Sequence, residues 1–376
     1  MTTSIEERSA LTDAVRRCVE RSAGPRAFLA DGERLAGTDE ALWSTLAQQV
    51  GVVSLLVPEA WGGAGGAYAD LAAVVELLGA ALAPVPVLPT AGMASGVLLA
   101  DGGPAAQELL ARIAKGATLA TVAWADVSGP VSGSFLPEVT ADLAAGTLTG
   151  TAGFVVSGAE ADLVLVPAST DKGVVVVAVE GDAPCMVRRG LTTLDLTRGM
   201  AEVAFAGAPF RLVSDVDVAA DALAVGSDLT LVVLAAEQVG LAQRCLDVAV
   251  AWCAQRVQFD RPIGSFQAIK HRLVDLLLQV ELSRSAKEEA VAAADRHLED
   301  PNPHSARALR IAASMAKAVC GEAAVEVARE ALHLFGGIGF TWEHDAHLYY
   351  RRALSDALLL GDASRHRVRL AAALGV

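Results

Sequence analysis

The residues of this chain that could bind a soft metal or run redox chemistry are five cysteines, Cys18, Cys185, Cys245, Cys253 and Cys320, and seven histidines. The cysteines are odd in number and none stands in a CxxC spacing, so the expectation is reduced, buried thiols. The histidines form no HxxxH or HExxH pattern, and no metal is assigned. His344 and His347 are three apart and could share a helix face; the preferred reading is a polar helix surface. GxGxxG is absent, which leaves a glycine-rich βαβ nucleotide turn without support. Two further groups stand out. Arg256, Phe259 and Gln267 lie close together, and Gly336-Gly337 follows a long apolar stretch. Taken singly, Arg256 reads as a charge at a helix C-terminus, Phe259 as core and the glycine pair as a helix cap.

The elements that would carry these residues change character along the 376-residue chain. Helical apolar spacing runs through Ser4–Glu20, Glu40–Val50 and Tyr68–Ala83, interrupted by a glycine-rich loop after Pro58 and ended by Pro84, Pro86 and Pro89. Between Ala117 and Leu223 come short β-branched runs at Thr118–Trp124, Thr147–Val156, Leu163–Pro167, Val174–Val179 and Val203–Phe205, each bounded by turn residues. From Asp228 the helical pattern returns in four long segments, Asp228–Arg256, Gln267–Leu298, Ser305–Leu334 and Asp345–Leu360. The expected architecture is therefore α+β with several domains: helical over 1–116, a small β-domain over 117–223 and a C-terminal four-helix bundle over 224–376. Alternating strands and helices, as in a Rossmann fold or a barrel, are excluded.

Thirty basic against 44 acidic residues give a formal charge of −14. A surface of that sign disfavours nucleic acid as a partner. No apolar run approaches the ~20 residues of a membrane span and Met1–Arg8 is polar, so a cytoplasmic protein without a membrane partner is expected.

Three stretches resemble the acyl-CoA dehydrogenase family. Arg256-Val257-Gln258-Phe259-Asp260-Arg261-Pro262-Ile263-Gly264-Ser265-Phe266-Gln267 is similar to its R-x-Q-F-x-x-P-I-x-x-F-Q signature. Ala331-Leu332-His333-Leu334-Phe335-Gly336-Gly337 is similar to its glycine turn, and Leu42-Trp43 through Val57-Pro58-Glu59 to its N-terminal pattern. The resemblance implies FAD as cofactor and an acyl-CoA substrate. It further implies an electron-transfer flavoprotein or similar acceptor, and an oligomer, homomeric or heteromeric, arranged as a dimer of dimers. In the family the signature meets the FAD of a neighbouring subunit. Arg256 would then offer forked donors to the diphosphate, Phe259 would pack on adenine, and Gln267 would offer a donor and an acceptor. Gly336 and Gly337 would admit a close backbone approach, and His333 stands where the family has Gln.

The resemblance also implies a carboxylate base that removes the α-proton of the thioester. Its usual position falls here on Leu360 and its alternative position on Thr230, and neither side chain can take a proton. Glu237 and Asp362 are the nearby carboxylates, Glu237 reading rather as a structural or interface group. The segment matching the family's flavin-facing β-domain motif places Phe154 for Trp and Val156 for Thr, and the T-E-P-x-A-G-S loop survives only as Ala123–Gly129. The half-site for this chain's own flavin thus reads as degraded, the half-site offered to a neighbour as intact. Heteromeric dehydrogenases of actinobacterial sterol side-chain breakdown are similar in this respect. The run Thr341–Arg352 and the Phe259-Asp260-Arg261-Pro262 variant resemble that group. Three functions stay open: a subunit whose partner supplies the base, a self-sufficient homo-oligomer with a relocated base, and a non-catalytic CoA-binding or structural subunit.

Overall fold

A computed structural model describes residues 5–30, 34–35, 38–124 and 138–376. The N-terminal part is helical: α1 (Ile5–Arg21), α2 (Glu40–Ser44), α3 (Tyr68–Ala80), α4 (Ser95–Asp101) and α5 (Pro104–Ala114), with a π-helical stretch over Leu88–Ala94. A two-residue ladder pairs β1 (Leu29–Ala30) with β2 (Arg34–Leu35).

The central sheet contains β3 (Ala120–Val122), β4 (Thr140–Asp142), β5 (Thr147–Val156), β6 (Leu163–Ser169), β7 (Val174–Glu180), β8 (Met186–Gly190), β9 (Met200–Pro209) and β10 (Arg211–Ser214). Its order is β10-β7-β6-β4-β5-β9-β8, with β3 parallel to β6. The unbroken valine and leucine runs of β6 and β7 have a direct cause. Strand side chains alternate between faces: Leu163, Leu165 and Val176 enter the core shared with the helices, while Val164, Val166, Val175 and Val177 fill a second core inside the β-domain. Both faces are covered, so both are apolar.

The C-terminal part is α6 (Ala219–Gln255), α7 (Gln267–Glu299), α8 (Pro303–Phe335), α9 (Ala346–Leu358) and α10 (Ala363–Leu374). α10 is additional to the four expected helices. Asn302 caps α8 by accepting from the backbone N–H of His304 and Ser305, with Pro303 in the first turn. α6 is long and apolar enough to cross a membrane, but 78% of its most apolar window is buried inside the protein. It is the axle of the molecule. α3 crosses it backbone to backbone, because Gly240 and Gly79 present no side chains. A Cβ at Gly240 would lie 1.9 Å from the Glu76 carbonyl oxygen, and one at Gly79 would lie 2.4 Å from that of Glu237.

Candidate functional site

α6 ends at Arg256, whose extended backbone starts a short hairpin of β11 (Val257–Gln258) and β12 (Arg261–Pro262). Phe259 and Asp260 make the two-residue turn at φ 54° and 61°, the left-handed geometry that twisted hairpins prefer and that Asn-Gly would adopt with less strain. The turn lifts Phe259 into solvent at 85% exposure, so the reading of this ring as core fails. Arg256 is exposed, with its guanidinium 5.9 Å from the Trp252 ring. Gln267 opens α7, also exposed, and its Nε2 lies 2.8 Å from His271 Nε2. Trp252 packs at 5.5 Å on Phe335, the last residue of α8, and so joins the hairpin to the glycine turn. Gly336 there has φ +67°, and a Cβ on Gly336 or Gly337 would meet nothing within 4 Å. His333 lies on the same end of α8, half exposed, with Nδ1 3.4 Å from Glu330. A fork of donors, an exposed ring, an amide and an open glycine backbone thus lie along one exposed edge of the molecule.

The positions expected for a base lie elsewhere and are closed. Leu360 is fully buried at φ 59°, and its carbonyl accepts from Nε2 of His366, 3.0 Å away. Thr230 is fully buried in α6, its hydroxyl donating to the Gly226 carbonyl at 2.7 Å. The Asp362 carboxylate is not closed off: it is exposed and caps α10, accepting from the Arg365 N–H.

Glu237 is tied down more strongly. Its carboxylate accepts from both Arg198 and Arg352, Arg198 also reaches Asp356, and Arg352 also reaches Asp195 at 2.6 Å. Burial would raise the Glu237 pKa, but the two guanidinium groups outweigh it and hold the carboxyl below its ordinary value. Asp356 is pushed up to about 7, by burial first and by Glu237 against the pull of Arg198. The buried Lys317 ammonium donates to the carbonyls of Asp356 and Ala357 at the end of α9, at 2.8 and 2.9 Å, and burial lowers its pKa to about 8. This network joins the β8–β9 connection to α6, α8 and α9, and it floors a cleft walled by Pro84–Pro89, Val156 and Ser157. Sequence reading missed all of it except Glu237. Arg352 entered that reading only as the end of the run Thr341–Arg352.

On the β-domain side, Phe154 sits at a bulge with φ 52° and is half exposed, while Val156 is buried and offers no hydroxyl. Trp124 is buried; residues 125–129 of the degraded loop lie outside the described residues. Two smaller expectations are corrected. Cys185 is exposed rather than buried, on the left-handed turn residue (φ 64°) that leads into β8. The histidine pair is not a polar surface: the His344 ring packs 4.1 Å from Phe335, and the buried His347 stands edge-on to Trp342 at 4.6 Å.

Comparison with known proteins gives two family matches, the acyl-CoA dehydrogenase N-terminal domain over residues 5–117 and the C-terminal domain over residues 230–375. The chain is 36% identical to acyl-CoA dehydrogenase IpdE2 of Mycolicibacterium smegmatis, over 98% of each. It is 35% identical to acyl-CoA dehydrogenase FadE34 of Mycobacterium tuberculosis, covering 86% of this chain and 40% of that one. Among solved structures it resembles the ChsE4-ChsE5 complex from Mycobacterium tuberculosis, with a TM-score of 0.84, 30% identity and 99% and 98% coverage of the two chains. The Tcur3481-Tcur3483 steroid ACAD G363A variant gives the same TM-score at 29% identity, covering 98% of each chain. With its helical, β and helical domains in this order, the chain belongs to the acyl-CoA dehydrogenase family of FAD-dependent oxidoreductases.

Proposed function

We propose that this chain is one of two unlike subunits of a heteromeric acyl-CoA dehydrogenase, contributing half of an FAD site while its partner carries the catalytic glutamate. The observation that carries this reading is the contrast between its two ends of the chemistry. Arg256, Phe259, Gln267, His333, Gly336 and Gly337 are exposed at the surface. Leu360 and Thr230 are fully buried without an acidic group, and Glu237 is neutralised by two arginines. A base must be free to accept a proton at the thioester's α-carbon. Bound FAD supplies the hydride acceptor for the β-carbon. This chain's own part is to hold the diphosphate with Arg256, cover adenine with Phe259 and let the glycine backbone approach.

The surface next to the half-site supports a partner. Val274, Leu277, Leu278 and Leu282 follow Gln267 along α7, each between 46% and 61% exposed. A stripe of this kind, continuous with the hairpin, suits burial against a second chain. The relatives named for steroids and for a two-protein complex favour a bulky acyl group and an unlike partner. An electron-transfer flavoprotein or similar acceptor would reoxidise the flavin, in a dimer-of-dimers assembly. The test is to purify the chain alone and co-expressed with a homologous acyl-CoA dehydrogenase chain that carries a glutamate at the position of Leu360. Alone it is expected colourless and inactive; with the homologue, yellow and bleached by an acyl-CoA. Bleaching of the chain on its own would overturn the proposal.

A further inference from the structure

The hairpin carries a second guanidinium with no role so far. Gln258 pairs across the ladder with Arg261, and cross-strand partners project on the same face. Arg256 precedes Gln258 by two residues along extended backbone, which places it on that face as well. Arg256, Gln258 and Arg261 therefore share one side of the hairpin. The Arg261 guanidinium lies 3.9 Å from the Phe266 ring centroid, and Phe266 meets Phe259 edge to face at 6.2 Å. Among the described residues neither Arg256 nor Arg261 is in an ion pair, and Asp260 at the hairpin tip bonds to neither. Two like charges on one face of a small hairpin repel each other, and stacking on Phe266 holds one of them in place without using its in-plane donors.

We propose that Arg261 is a second phosphate ligand of the dinucleotide, acting with Arg256, and that Phe266 is the positioning residue that holds its guanidinium plane. The inference rests on the cross-subunit reading above and extends it by one charge: two cations facing the two negative charges of a diphosphate. Arg256 approaches from the end of α6. Arg261 approaches from the return strand of the hairpin, with the Gln258 amide opposite it in the ladder.

The test uses the full-length chain in the FAD-binding assembly it forms, stripped of flavin and titrated with FAD while flavin fluorescence is followed. Arg261→Met is expected to weaken FAD binding by about tenfold, the loss of one charge-assisted contact, with assembly size and melting temperature unchanged. Phe266→Leu is expected to weaken it in the same direction and Phe266→Tyr, which keeps the stacking ring, to restore it. Arg256→Met is the reference. If Arg256→Met weakens FAD binding and Arg261→Met does not, the inference is overturned and the cross-subunit reading stands. If neither variant changes FAD affinity, the cross-subunit reading itself falls.

Discussion

Replacing Glu237 with glutamine would leave Arg198 and Arg352 facing each other inside the protein with one negative charge fewer between them. Breaking a buried pair by removing one partner costs about 3–5 kcal/mol, so Glu237→Gln is expected to lose a large part of the stability in urea unfolding. Turnover per folded complex is expected to stay close to wild type. Wild-type stability with abolished turnover would instead make Glu237 the base. Residue by residue, the sequence revealed the side chains that break a pattern, such as Leu360, Thr230 and Val156. It did not reveal the company they keep. Glu237 read as structural from its type and place, but Asp195 and Arg198 lie on the β8–β9 connection and Asp356 lies on α9. No local spacing connects groups brought together only by the packing of the β-domain against the C-terminal helices.

At the scale of elements, α10 is held to the end of α9 by His366. The ring is fully buried, its Nε2–H donating to the Leu360 carbonyl, while Nδ1 has no partner among the described residues. Burial lowers its pKa from 6.5 to about 4. A folded-state pKa below the unfolded value contributes stability that is complete above pH 6.5 and is lost as pH falls through about 4. The loss amounts to about 3.5 kcal/mol at about 1.4 kcal/mol per unit of pKa. Urea midpoints across this range are expected to fall for the wild type and to flatten in His366→Gln; equal slopes would remove His366 as the cause. α10 itself was not legible, because Leu358-Leu359-Leu360 continues the apolar pattern of α9 until Leu360 turns left-handed. The long helices were legible from periodicity, and β6 and β7 from their unbroken apolar runs. The glycine crossing of α3 and α6 was not, since nothing in either segment says that Gly79 meets Glu237 and Gly240 meets Glu76. The edge strands β8 and β10 were missed for another reason: the charged Arg188, Arg189 and Arg211, of which Arg189 and Arg211 are exposed, obscure the alternation.

For the whole molecule, the chemistry divides into a closed interior and an open edge. The interior holds the Leu360 and Thr230 positions, packed and hydrogen-bonded. The edge holds the hairpin, the glycine turn and the apolar face of α7. That division was visible in outline, because family-like residues survive at one end and are replaced at the other. Exposure gives the contrast its physical content, since Phe259 is open to solvent while Leu360 is fully buried. The most direct test of a flavin shared between unlike chains is the flavin-to-protein ratio of the purified complex, with and without Arg256→Met in this chain alone. The expected result is one flavin per pair of chains in the wild type, and loss of flavin from an otherwise intact complex in the variant. A full complement of flavin in the variant, or one flavin on every copy of this chain in isolation, would contradict the account.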